Sequence, residues 1–349
     1  MAKMKMLAVM KVARAYGCEL REVDVPRPGP GEALVKTLAC SICGTDKHIY
    51  KWGAWAEKRI PTPLIFGHEC AGEVVELGPD AGDVAVGDYV SVECHVFCNR
   101  CHQCGSGKRH ICRDVKIFGV DFNGCFAEYF TVPARCLWKN DPRIEPEVAC
   151  LQDPFGNATF TVSSCEVSGK TVAVVGDGPI GIYAAGIARA FGARRIFGLG
   201  LVDSKLAMMK QFGADEVINV KRRDPVSEIM AATRGEGVDV SLEMTGAAPA
   251  INQAIAILRR GGKMALFGLP DGPVSMDVAE GVIFKGLTLL GINGREVFNT
   301  WEEMLPLLAE KRVDPRPVTS HQFKLADFVK AMETGLDPNV DSGKIVLKP

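Results

Sequence analysis

Two textures of apolar and polar residues divide the chain near Ser168. Before that point apolar positions come in short, interrupted runs such as Glu32-Ala-Leu-Val-Lys-Thr-Leu and Gly72-Glu-Val-Val-Glu-Leu-Gly. Glycine and proline punctuate the intervals, and Pro26 to Gly31 reads as a turn-rich connector. This is strand chemistry, so the first part is expected to be β-rich. After Ser168 short apolar strands alternate with helical stretches. Thr171-Val-Ala-Val-Val, Arg195-Ile-Phe-Gly-Leu, Val217-Ile-Asn-Val, Val238-Asp-Val-Ser-Leu and Lys263-Met-Ala-Leu-Phe predict strands. The pattern predicts helices over 179–191, 205–212, 226–233 and 250–258. Such alternation builds a doubly wound parallel sheet with crossover helices, an α/β fold. It ends near Gly291-Ile-Asn-Gly; a helix over 300–310 and a last strand, Lys344-Ile-Val-Leu, are expected to return to the first domain.

Length supports two domains, because 349 residues exceed what one hydrophobic core usually serves. The net charge of -1 gives no electrostatic reason to expect nucleic acid or an anionic membrane as partner. No apolar run approaches the length of a membrane span. The start, Met1 to Leu7, carries lysines but no long apolar segment with a cleavage site, so a cytoplasmic location is expected. There are 13 cysteines. Without an export signal these are better read as metal ligands and core residues than as disulfides. Five of them crowd between Cys94 and Cys112, whereas Cys70, Cys150 and Cys165 sit among small apolar neighbours and are expected in the core.

The crowded stretch contains Cys98-x2-Cys101-x2-Cys104-x7-Cys112. Four thiolates complete a tetrahedral zinc site and leave no open position, as a structural site requires. An iron–sulfur run also opens with two such gaps, but it closes with a shorter gap and a proline, so zinc is favoured. Cys94, His102 and His110 lie nearby and are given no metal role. A second group combines Cys43-Gly-Thr-Asp-Lys-His48 with Gly67-His68-Glu69. One thiolate, one imidazole and one carboxylate make an open zinc site that accepts a substrate oxygen.

Gly176-Asp-Gly-Pro-Ile-Gly181 follows a predicted strand and opens a predicted helix. In that context the three glycines form a dinucleotide turn: one bends the chain, one admits the pyrophosphate, one lets helix approach strand. Contacts to NAD or NADP are expected from Gly176, Gly178, Ile180 and Gly181. Further along they are expected from Gly200, Lys205, Phe267, Gly268, Leu269, Ile292 and Asn293.

Taken in order, Cys43-Gly-Thr-Asp, Gly67-His-Glu-x2-Gly72, Gly87-Asp-x-Val90, the four-cysteine lobe and the glycine turn resemble the zinc-containing medium-chain alcohol dehydrogenases over nearly the whole chain. Segments such as Asp153-Pro-Phe-Gly-Asn-Ala, Glu243-Met-Thr-Gly-Ala and Gly294-Arg-Glu-x-Phe-x-Thr-Trp301 are most similar to L-threonine 3-dehydrogenases. The resemblance implies a GroES-like catalytic domain over 1–158, completed by 297–349, a Rossmann domain over 159–296, and a homotetramer. It implies a catalytic zinc on Cys43, His68 and Glu69, with Asp153 either ligating the metal or standing behind it. It implies a second, structural zinc on Cys98, Cys101, Cys104 and Cys112. Thr45 and His48 match the family's proton-relay pair. The implied reaction oxidises a secondary alcohol with NAD or NADP, L-threonine giving 2-amino-3-oxobutanoate. The alternative substrates are a polyol, sugar, diol or simple secondary alcohol, since fold does not fix substrate. Trp52, Trp55 and His95 are expected to shape the pocket.

One departure stands out. The family places an acid at the end of the second Rossmann strand, where it grips the ribose hydroxyls and repels a 2′-phosphate. Here that position is Gly200, and Asp203 comes three residues late. Weak or reversed discrimination against NADP is therefore expected, with Lys205 and Arg222-Arg223 as candidate phosphate partners. On this reading Gly200→Asp restores the preference for NAD.

Overall fold

The strand Glu32–Ser41 organises the first part of the chain and is buried along most of its length. One edge pairs antiparallel with Glu69–Leu77. The other edge is shared: Tyr129–Pro133 takes its first half, and the carboxy-terminal strand Lys344–Lys348 takes its end, with Leu347 opposite Cys40. The last strand of the chain is thus built into the first sheet, and Thr319–Lys324 lies parallel beyond it. A separate antiparallel sheet joins Lys5–Lys11 to Glu19–Asp24 and Leu64–Ile65. Between these layers Phe66, Phe126 and Phe328 are fully buried. Phe66 meets the other two rings edge-on, at 5.3 and 5.5 Å, the arrangement that aromatic quadrupoles favour.

The structure is a computed structural model that describes residues 4–349, so the first three residues of the lysine-bearing start lie outside it. Contacts divide the chain into two units. The first is Met1–Asp153 with Glu296–Trp301 and Pro315–Pro349; the second is Pro154–Arg295 with Glu302–Asp314. The second unit holds a six-stranded sheet in the order Glu216–Asn219, Arg195–Gly200, Thr171–Val175, Val238–Glu243, Leu258–Leu266, Thr288–Gly291. All its pairings are parallel. The order reverses between Thr171–Val175 and Val238–Glu243, the topological switch point of a doubly wound fold. The edge strand Thr288–Gly291 was not predicted: Thr-Leu-Leu-Gly is too short to carry a periodic signal.

The contact-defined units differ at two places from the domain limits read from the sequence. The helix Asn299–Ala309 does not return whole to the first domain, because from Glu302 it groups with the second unit. Its continuation packs there: Val313 approaches Gly186 so closely that a side-chain carbon at that glycine would lie 3.0 Å away. Arg312 also donates to the Ala190 carbonyl at 3.1 Å. The earlier limit falls at Asp153 rather than residue 158. The helix Gln152–Ser163 turns Phe155 against Tyr183, rings 5.5 Å apart, so burial of Phe155 commits this helix to the second unit.

Candidate active site and metal centres

The four cysteines of the lobe come together. A bend delivers Cys98 and Cys101, the short helix His102–Gly105 delivers Cys104, and a single helical turn at Arg109–Ile111 leads into Cys112. Their sulfurs all lie within 4.8 Å of one another. Two backbone N–H groups, of Cys98 and Asp114, donate to the Cys112 sulfur at 3.3 and 3.4 Å. N–H groups of Cys104 and Arg113 hold the Cys101 thiol well below its ordinary range. Amides aimed at sulfur stabilise thiolates, the form that binds metal. His102 and His110 stand outside this group, and burial lowers the pKa of His110.

The second group also assembles. Cys43 precedes the helix Gly44–Lys51, and its N–H donates to Asp46 Oδ2 at 2.8 Å, closing the first turn. His68 stands just before the strand Glu69–Leu77, which Glu69 opens and which pairs with Glu32–Ser41. Gly67 before them has φ of 95°, and a side chain there would strike the Phe126 ring at 2.5 Å, so only glycine delivers His68 to this point. Cys43, His68 and Glu69 present ligand atoms within 4.8 Å of one another. Asp153 is buried close by. Burial opposes charge on His68, but Asp46, Cys43 and Asp153 together raise its pKa well above the usual value. The pocket is therefore anionic and suited to a cation. On the same helix as Asp46, His48 is exposed and Thr45 partly buried, one helical turn apart.

In the second unit the glycine turn lies where strand Thr171–Val175 meets helix Pro179–Ala190. Gly176 has φ of 122°, and a side chain on Gly181 would come within 2.0 Å of the Gly176 carbonyl oxygen. Gly178 faces open space, which is what a pyrophosphate cradle needs. Gly200 ends its strand, and Phe267-Gly268-Leu269 and Ile292-Asn293 follow two others, at the same carboxyl edge of the sheet. Leu269 is 89% exposed there. Gly200 is not open, however. A side-chain carbon on it would lie 2.5 Å from Cβ and Cγ of Asp177, so Gly200→Asp cannot simply restore an acid. Asp203 is held by Asn219 at 2.8 Å and by Arg222.

Residues 29–142 match the alcohol dehydrogenase GroES-like domain, and residues 179–310 match the zinc-binding dehydrogenase domain. The chain is 48% identical to the L-threonine 3-dehydrogenase of Pyrococcus abyssi over 92% of each chain. It is 43% identical to that of Bacillus subtilis over 99% of each. The chain belongs to the zinc-containing medium-chain alcohol dehydrogenase family. It is accordingly a zinc- and NAD(P)-dependent oxidoreductase. Among solved structures, the 2R,3R-butanediol dehydrogenase of Bacillus subtilis superposes with a TM-score of 0.89, 26% identity and 99% coverage of both chains.

The donor sets fit this family's metal. Besides the four-thiol lobe, buried His68 Nδ1 and Asp46 Oδ1 face each other at 3.7 Å, and neither has a hydrogen-bond partner within bonding distance. A carboxylate behind an imidazole fixes its orientation towards a metal. Burial lifts the Asp46 carboxyl to about 6, against the pull of His68. Three supporting residues escaped the sequence reading. Lys344 and Ser41 both hold Glu69 Oε2 in a buried cluster. Glu93 accepts from His95 Nδ1 at 2.6 Å and from Trp301 Nε1 at 2.8 Å, which fixes the His95 ring. A lone charge in the apolar run Lys344-Ile-Val-Leu was the available signal for Lys344. Trp52 donates to Glu57 at 2.6 Å and Trp55 is 42% exposed.

A closed four-thiolate site contributes to folding rather than to the reaction. Elemental analysis is expected to find about two zinc ions per chain in the wild type and about one in Cys104→Ser. The variant is expected to melt earlier while any folded fraction keeps its turnover per catalytic zinc.

Proposed function

We propose that this enzyme oxidises L-threonine at its secondary alcohol, giving 2-amino-3-oxobutanoate and reducing NAD(P)⁺. The reading is supported by full-length similarity to L-threonine 3-dehydrogenases, together with the buried anionic group of Cys43, His68 and Glu69. Those three residues would hold the catalytic zinc, and Cys98, Cys101, Cys104 and Cys112 the structural one. Zinc supplies a Lewis acid that lowers the pKa of the alcohol. A bound nicotinamide would supply the acceptor for the hydride from carbon, which leaves the hydroxyl hydrogen to depart as a proton.

The chain's own residues handle that proton. The Thr45 hydroxyl accepts it from the substrate oxygen, and exposed His48, one turn further along the helix, hands it to water. Asp46 faces His68 Nδ1 at 3.7 Å and adds negative charge behind it, and Lys344 with Ser41 fixes Glu69. Asp153 contributes negative charge beside His68, either as a ligand or behind the metal. The glycines of the turn, Ile180, and residues 267–269 and 292–293 hold the dinucleotide.

We further propose a cytoplasmic homotetramer. All 13 cysteines are free, as in a reducing compartment. The parallel sheet ends on Thr288–Gly291, and Val278, Ile283 and Phe284 just before it are 51%, 64% and 60% exposed. An apolar edge of this kind needs a partner. No helix among the described residues is long and apolar enough to cross a membrane.

A substrate panel tests the central reading: kcat/KM for L-threonine is expected to exceed that for 2,3-butanediol, sorbitol and 2-propanol, and a diol at the head of the order would sink it. His48→Ala is expected to lower kcat by about 10²–10⁴-fold while metal analysis still finds the catalytic zinc. Loss of metal or full activity would remove His48 from the relay. Light scattering should give about four times the 37.6 kDa chain mass.

A further inference from the structure

The carboxyl end of the second Rossmann strand lacks the acid that would read the adenosine ribose, yet the space is filled. Asp177, the residue between the first two glycines of the turn, leans across from the neighbouring strand. Its Cβ, Cγ and Oδ2 all lie 2.5 Å from where a side-chain carbon of Gly200 would be. Its Oδ2 accepts the Leu201 N–H at 2.7 Å and the Val202 N–H at 2.8 Å. Those are the first two amides past the strand tip. Two converging amides form an anion site, and here a carboxylate of the same chain already occupies it.

The alternatives nearby are committed elsewhere. Asp203 accepts from Asn219 Nδ2 at 2.8 Å and is paired with Arg222. Arg223 is paired with Glu228. Two of the cations that the sequence offered to a 2′-phosphate, Arg222 and Arg223, are therefore engaged by acids of this chain. What remains at the strand tip is one carboxylate, held by backbone and partly exposed.

We propose that Asp177 is the residue that selects NAD over NADP, taking over from the opposite side of the turn the role that Gly200 cannot fill. The assignment rests on the dinucleotide reading of the second unit. Its carboxylate accepts hydrogen bonds from the ribose hydroxyls of NAD. A 2′-phosphate would have to displace it from the Leu201 and Val202 amides, or sit beside it with about two further negative charges. Gly200 is glycine because Asp177 needs the room, so the two positions act as a pair.

The test reads binding without turnover. Titration calorimetry with ADP-ribose and with 2′-phospho-ADP-ribose gives a ratio of Kd values for each protein. Wild type is expected to bind ADP-ribose more tightly. Asp177→Asn, which keeps the shape, and Asp177→Ala, which empties the site, are both expected to move the ratio towards the phosphorylated ligand. The shift is about ten- to a hundredfold, the size of one charge-assisted hydrogen bond. Asp203→Asn is expected to leave the ratio unchanged. The double variant Asp177→Gly with Gly200→Asp, which moves the acid to the strand tip, is expected to recover the wild-type order. A ratio that ignores both Asp177 variants, or one that follows Asp203→Asn instead, overturns the assignment while leaving the dinucleotide site intact. Failure of the wild type to bind either ligand overturns the dinucleotide reading and this assignment with it.

Discussion

Glu69 and Lys344 form an ion pair that both side chains keep almost wholly from water, at 1% and 6% exposure. One partner opens the strand that directly follows His68; the other starts the last strand of the chain. Burying two charges costs several kcal/mol each before their attraction is counted, and removing one partner of such a pair costs about 3–5 kcal/mol. The pair is tolerated because Ser41 and the Ile42 carbonyl complete its hydrogen bonds. It therefore makes the carboxy-terminal strand, its register against Cys40 and Ser41, and the position of Glu69 a single cooperative unit. The terminal segment is as much part of the metal pocket as the residues that line it.

Charge balance explains the rest of that pocket. Cys43, Asp46 and Asp153 gather around one imidazole, and the raised pKa of His68 reflects their combined field. Lys344, whose own pKa burial lowers and Glu69 raises further, offsets only part of it. A divalent cation held there would supply the remainder and so link metal binding to the folding of this region. The cysteine lobe solves the same problem differently: four sulfurs face one another, and backbone amides rather than cations stabilise them. Three donors would leave a tetrahedral ion an open position; four would close it.

The second unit depends on close backbone approach rather than charge. Glycines at 176 and 181 let helix and strand meet at the sheet's switch point. Buried Glu243 fixes the facing turn by accepting from the Thr245 and Gly246 N–H groups at 2.7 and 3.1 Å. The loops that follow the strands then share one edge, where Leu269 is largely exposed, the edge at which doubly wound sheets take their ligands.

The sequence by itself determined the class of fold and the glycine turn, and it picked out two sets of candidate metal ligands that the structure brings together. Each is a local pattern: period, spacing and residue chemistry within a few dozen positions carry it. Even Cys43 with His68 and Glu69, joined over a longer span, was legible because thiolate, imidazole and carboxylate share only a few purposes. Tertiary structure decided what depends on residues distant in sequence. The partner of Glu69 lies 275 positions away, and Trp301 reaches Glu93 across 208. The helix Asn299–Ala309 divides between the two units, since Trp301 is buried with the first and Val313 packs on Gly186 in the second. Gly200 read as an acid lost, but strand pairing brings Asp177 over it from 23 residues earlier, and two amides hold it there. Side-chain volume and hydrogen-bond direction, which no spacing rule encodes, made that difference.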